Sequence, residues 1–242
     1  MIKKVKMLLP LLQSIAFLVI LIVLLKILYE RFYIKTNTKM LLDEITLLIN
    51  NRNILVPSSN VNMSLQGFEY SLLFWLYVPS ITENSNWRDD YSKEKGIISH
   101  TMSPNVMFQP KDNTVIFKIG YLNEKQALNT YDFEVKVPEQ TWIHFGITVK
   151  DKLVNLYQNN EIIKSATLPF PPWFSERNLY IGEKDNNSMT YIANVQWANY
   201  QVDSLDVEYI YNKEIRSLVN KELPSYSDTL QELELNSQST IF

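Results

Sequence analysis

The chain contains no cysteine, only 5 glycines and only 2 histidines among its 242 residues. The missing thiols exclude a disulfide framework, thiolate metal sites and a cysteine nucleophile together, and they leave the redox compartment open. The histidines, His100 and His144, stand apart with no acidic or second histidine partner at ligand spacing. They supply neither a zinc site nor a recognisable charge-relay pair. With so few glycines, turns that require positive φ must draw on asparagine, which the chain has in quantity. A one-sided charge is missing too: 23 basic against 26 acidic residues give a net charge of −3. No long-range field draws this molecule to nucleic acid.

What is present is apolar and aromatic. Hydrophobic residues make up 46% of the chain and aromatic residues 12%, enough for the core of one domain with appendages. The N-terminal stretch MIKKVKMLLPLLQSIAFLVILIVLLKILYERFYIK places a run from Met7 to Leu25 behind three lysines, interrupted only by Pro10, Gln13 and Ser14. At ~1.5 Å per helical residue this run covers roughly the 30 Å of a bilayer core. Each Leu, Ile, Val or Phe at the centre of a membrane helix contributes about −0.3 to −0.6 kcal/mol. A cleaved signal peptide would need a shorter apolar core and a small-x-small site; here Lys26, Tyr29, Glu30, Arg31, Phe32 and Tyr33 follow instead. The expectation is an anchor over residues 1–35 with a transmembrane helix over about 7–28. The aromatic residues suit the headgroup region, and Lys3, Lys4 and Lys6 favour a cytoplasmic or internal N-terminus against Lys26, Arg31, Lys35 and Lys39.

Residues 36–53 follow. In TKMLLDEITLLIN, Leu41, Ile45 and Leu48 share a helical face, which predicts a juxtamembrane amphipathic helix, packed on the domain, lying on the membrane, or paired as a short stalk. From Ile54 the helical period disappears. FEYSLLFWLYV, GIISHTM, NVMFQ, TVIFKIG, YDFEVKV, WIHFGITV, LVNLYQ, EIIKSATL, NLYIG and YIANVQWANY are short β-rich runs separated by Pro, Asn, Asp and Ser. No helical period separates them, which predicts an antiparallel sandwich or jelly roll over 54–212, mainly β. Phe68 to Val78 reads as a central strand covered on both faces, YDFEVKV as a strand with one wet face, and Asn159-Asn160 as the turn of a hairpin. Residues 213–242 read as a helical start broken at Pro224, then a flexible tail.

The order FEYSLLFWLYVP, KGIIS, TWIHFGITVKDKLVNLYQNNEIIKSATL, NLYIG and YIANVQWANYQVDSLDVEYIY resembles the concanavalin A-like lectin/glucanase superfamily, in particular its laminin G-like and pentraxin-like branch. The family's Trp-led strand, its hairpin and its closing strand with a short helix all have counterparts. Asn160-Glu161 stands where the family usually has Asn-Gly, marking a divergent member. The resemblance implies a binding sandwich, sometimes calcium-dependent, and it places His144 in a strand as a structural residue. Asp112-Asn113 and Asp185-Asn186-Asn187 offer oxygen ligands in turns, although such pairs are also ordinary turn formers.

Hydrolysis of a glycosidic bond needs two carboxylates across a cleft. The glucanases of this superfamily carry them as Glu-x-Asp-x-Glu on one strand, and the sequence has no such run. Two other stretches present aromatic side chains in polar or Pro-stiffened loops: ITENSNWRDDYSKEKG, with Trp87 and Tyr91, and LPFPPWFSERN, with Phe170, Trp173 and Phe174. Each either packs back on the sandwich or meets a sugar or protein. Two glycosylation sequons, Asn62-Met63-Ser64 and Asn186-Asn187-Ser188, are of the number chance supplies. The expectation is a non-enzymatic, membrane-anchored binding or structural module with a glycan or protein partner, capable of homo-oligomerisation, with a virion membrane of a large DNA virus as one setting. A cell-surface lectin is the main alternative and a glycoside hydrolase a further one.

Overall fold

A computed structural model describes residues 13–28, 38–49, 53–64, 68–80, 93–101, 103–183, 188–225, 227 and 229. Two compact units result, one over Met1–Thr38 and one over Lys39–Phe242. In the first, residues 13–28 form a helix, α1, whose large apolar side chains face outward along its length: Phe17 is 68% exposed and Leu28 60%. No helix among the described residues is long and apolar enough to cross a membrane. Residues 7–12 of the expected span lie outside the described residues, as do Tyr29, Phe32 and Tyr33.

The second unit is an antiparallel sandwich. Its strands are β1 (Thr38–Leu42), β2 (Thr46–Leu48), β3 (Ile54–Val56), β4 (Glu69–Tyr77), β5 (Lys95–Ser99), β6 (Asn105–Gln109), β7 (Thr114–Leu122), β8 (Leu128–Lys136), β9 (Trp142–Lys150), β10 (Leu153–Gln158), β11 (Glu161–Thr167), β12 (Leu179–Ile181) and β13 (Thr190–Ala198). One sheet runs β1-β13-β4-β9-β10-β11, with β2 also on β13; the other runs β3-β12-β5-β6-β7-β8. The helix α2, Ser204–Val219, closes the fold.

Strand periodicity explains the layering. Along β4, Tyr70, Leu72, Phe74 and Leu76 join the core between the sheets, whereas Leu73 and Trp75 point the other way into two smaller apolar clusters. Val207 and Ile210 of α2 enter the first of these clusters, and Tyr211, Ile215 and Leu218 the second. From Leu72 to Leu76 the strand is therefore apolar on both faces, because the opposite sheet covers one face and α2 the other. In β8, by contrast, Phe133 and Val135 are buried and Asp132, Glu134 and Lys136 exposed. The β10–β11 hairpin turns at Asn159 and Asn160 with φ of 48° and 70°, as the sequence pattern predicts.

Two expectations are corrected. Residues 36–53 hold no helix among those described: Leu41 lies in β1 and Leu48 in β2, where Leu47 and Leu48 pair with Tyr191 and Thr190 of β13. Ile45 to Ile49 is a short apolar run, which periodicity alone does not assign, and pairing with β13 decides it in favour of strand. The sandwich thus begins near Thr38, not at Ile54. At the other end α2 runs across the expected boundary at 213, and Leu218 is buried. Asp203 caps this helix, its carboxylate accepting the Asp206 amide at 2.9 Å, while the Ser204 hydroxyl lies 3.2 Å from the Tyr157 hydroxyl.

Candidate functional site

His144 lies on β9, fully buried, with its ring 5.0 Å from Trp75 and 6.0 Å from Tyr211 of α2. Neither ring nitrogen has a hydrogen-bond partner, and burial lowers its pKa to about 3. A neutral imidazole enclosed by aromatic rings is a packing element; no described group stands ready to exchange a proton with it. Beside it, Glu214 of α2 accepts Trp75 Nε1 at 2.7 Å and Gln196 Nε2 at 2.6 Å. Burial raises the Glu214 pKa, opposed by these hydrogen bonds and one from Asn194.

The Pro-stiffened segment after β11 is stitched to β7. The Trp173 amide donates to the Gly120 carbonyl at 2.7 Å, and Pro172 bridges Tyr121. The structure sends its three aromatic residues to different partners. Phe170, half-buried, stacks on Tyr121 with centroids 6.4 Å apart, and Lys152 Nζ lies 5.8 Å from its ring. Trp173 is half-buried. Phe174 turns inward against Tyr70, His100 and Trp197 at 5.9, 4.9 and 6.1 Å. His100 secures this corner: Nδ1 lies 3.1 Å from the Ser103 carbonyl and Nε2 3.0 Å from the Arg177 carbonyl. Burial lowers its pKa, against the pull of these carbonyls and that of Ser175.

Between this segment and the connector from β3 to β4 lies a cleft of about 460 Å³, lined by Ser58, Ser59, Val61, Asn62, Met63, Phe174 and Glu176. Its walls are tied to each other and to the core. The Ser58 amide donates to Asn178 Oδ1 at 3.0 Å, and Trp197 Nε1 donates to the Asn62 carbonyl at 3.0 Å. Of the described residues that the sequence pattern offers for binding, Phe174 lines it, and Phe170 and Trp173 do not. Ser58, Ser59 and Glu176 carry no motif, and Asn62 was visible only as a sequon residue.

Trp87, Tyr91 and Asp185 lie outside the described residues. Asp112 ends a short 3₁₀ turn, Pro110–Asp112, and its carbonyl accepts the Thr114 hydroxyl at 3.2 Å. Among the described residues no three His, Cys, Asp or Glu side chains come together as a metal site would require, at Asp112 or elsewhere.

No family model matches the sequence, and no curated protein matches it. Solved structures share its fold. A crystal structure of an HCR/D mutant aligns with a TM-score of 0.54 at 14% identity, covering 74% of this chain and 46% of that one. A second HCR/D mutant gives 0.53 with the same identity and coverage. The binding domain of botulinum neurotoxin DC in complex with rat synaptotagmin II gives 0.51 at 14% identity, covering 73% of this chain and 46% of that one. The chain thus spans less than half the length of these structures. At such identity the likeness establishes the two-sheet β-sandwich and nothing narrower.

Proposed function

We propose that the chain is a single-pass membrane protein whose sandwich is a binding module of concanavalin A-like, laminin G-like character. The observation that carries the binding reading is the pre-formed cleft, whose walls are held by the Ser58–Asn178 and Trp197–Asn62 hydrogen bonds before any ligand arrives. Its volume suits a small ligand, and its rigidity reduces the ordering cost of binding. Among the described residues that line the cleft, Glu176 is the carboxylate. Botulinum neurotoxin DC's binding domain was captured with rat synaptotagmin II, so a sandwich of this shape is compatible with a protein partner as well.

The membrane part of the reading rests on the apolar run from Met7 to Leu25. Its insertion free energy, several kcal/mol by the sum of about −0.3 to −0.6 per apolar residue, favours a membrane-embedded helix; the residues that follow it lack a small-x-small cleavage site, which favours an uncleaved anchor, and Lys3, Lys4 and Lys6 favour an N-terminus that is cytoplasmic or internal. Held at a bilayer, the sandwich gains from raised local concentration, so weak contacts and pairing with a second copy count for more. A virion membrane of a large DNA virus is the setting we favour, and a cell-surface lectin is the alternative. The test is capture of the full chain in detergent from its native source, with co-purifying molecules identified by mass. A defined partner supports the reading; recovery of the bare monomer in repeated captures contradicts it.

A further inference from the structure

We infer that α2 is an acid-released cover: protonation of His144 lifts the helix off the outer face of β4, β9 and β13 while the two sheets stay closed on each other. This device stands apart from the cleft and does not depend on what the cleft binds. The helix is a separable layer. The core between the sheets takes no residue from α2, which packs instead over two small clusters on the far side of its sheet. Leu73, Tyr157 and Ala198 lie under Val207 and Ile210, and Trp75 and Ala193 under Tyr211, Ile215 and Leu218. Polar ties to the sheet run through side chains, from Ser204 to Tyr157 and from Glu214 to Trp75 and Gln196. Lifting the helix breaks no strand pairing and opens no inter-sheet contact.

The trigger lies beneath this layer. His144 is fully buried against Trp75 and Tyr211, and neither ring nitrogen has a hydrogen-bond partner, so a proton added there makes a buried cation with nothing to bond to. Undocking α2 takes Tyr211 off the ring and lets water solvate the imidazolium. Burial holds the docked ring near pKa 3 against an ordinary 6.5, so opening takes up a proton as pH falls. The opening constant therefore rises about tenfold per pH unit below 6.5, and about 25-fold from pH 7 to pH 5. Of the titratable groups on elements packed against the ring, Tyr211 and Glu214 belong to α2 and Tyr157 to β10; β4 and β13 present Trp75, Ala193 and Gln196, which do not titrate. Phenols titrate near pH ~10, far above this range. Lys213 and Arg216 of α2 are exposed, Asp206 is buried in its first turn, and Glu69 pairs with Lys150 at the far ends of β4 and β9. Glu214 opposes the release: burial raises its pKa, so its own protonation favours the docked helix.

The absence of cysteine supplies a clean reporter. In the full chain held in detergent, Ala193→Cys places a thiol under α2, and Val195→Cys, two positions along β13, places one in the core between the sheets. Labelling by 4,4′-dithiodipyridine, normalised to a free thiol at each pH, gives the opening constant at each site; hydrogen exchange of the α2 amides reads the same opening in the unsubstituted chain. Opening at Ala193→Cys should rise about 25-fold from pH 7 to pH 5. It should exceed opening at Val195→Cys at least tenfold at both pH values and respond less to urea, because it exposes less surface. Adding His144→Leu should abolish the rise and leave the site protected at pH 7, whereas Glu214→Gln should leave the rise in place. Should Ala193→Cys itself loosen the helix, Ala198→Cys reports from the cluster under the other end. Equal opening at the two depths, no rise on acidification, a rise that survives His144→Leu, or one that vanishes in Glu214→Gln would each overturn the inference.

Discussion

A histidine with two unpartnered ring nitrogens in an aromatic enclosure carries a penalty that grows with acidity. The His144 pKa, about 3 in the fold against an ordinary 6.5, means that the unfolded chain takes up the proton first as pH falls. Stability from this group is therefore complete above about pH 6.5 and is lost progressively down to about pH 3. At pH 5 the loss is about 2 kcal/mol, from ~1.36 kcal/mol per pH unit. His144→Leu should flatten the difference in urea-unfolding stability between pH 7 and pH 5 by that amount, without destabilising the fold at pH 7. A second residue-scale prediction concerns glycine scarcity. Gln126 and Gln140 occupy φ of 58° and 56°, a region that costs a side-chain-bearing residue about 1–2 kcal/mol. Gln140→Gly should raise stability by about 0.5–1 kcal/mol, since Gly removes the strain and returns part of the gain as chain entropy. Asn159→Gly should not help, because the Asn159 side chain accepts the His144 amide at 3.0 Å. The structural place of His144 was legible from its strand pattern. Its unsatisfied nitrogens were not, because they depend on α2 lying across β9, a contact no local window contains.

Elements with strong patterns were readable, and those decided by their neighbours were not. β4, β8, β9 and the β10–β11 hairpin follow alternation and turn chemistry that one segment contains by itself. β1 and β2 do not. Their leucines are compatible with a helical face, and only the free edge of β13 makes them strands. The helix beyond residue 212 reads as part of the tail because what anchors it is remote in sequence: Glu214 accepts from Trp75 and Gln196, and Leu218 clusters with Trp75 and Ala193. Two predictions follow from that packing. Asp203→Ala should lower thermal stability by about 0.5–2 kcal/mol through loss of the helix cap. Glu214→Ala should cost about 2–3 kcal/mol, because it leaves the Trp75 and Gln196 donors without their acceptor beneath the helix. Glu214 also opposes His144 with pH. Its raised pKa means the folded state binds the proton more tightly, so its own contribution improves as pH falls toward 4.5.

At the scale of the whole molecule, the chain joins an apolar N-terminal run to one sandwich with a single inter-sheet core. Extraction with alkaline carbonate should leave it in the membrane fraction. Leu18→Arg together with Val23→Arg should release most of it, at a cost of roughly 2.5–3.5 kcal/mol for each arginine placed centrally in a membrane helix. The cleft was the least legible feature. It is assembled from Ser58 to Met63 and from Phe174 and Glu176, more than a hundred positions apart, and the connector is held by the Asn178 and Trp197 side chains, partners that no local window contains. The asparagine turns have one further consequence, for chemical ageing. Asparagine converts to aspartate when the following backbone nitrogen attacks its side chain, and a following glycine leaves that attack least hindered. Here the left-handed turn residues Asn113, Asn159 and Asn160, and the bulge residue Asn194 within β13, precede Thr, Asn, Glu and Val. A protein that replaces turn glycines with asparagine has thereby avoided the dipeptide that deamidates fastest, and its hairpins should keep their original charge through long storage.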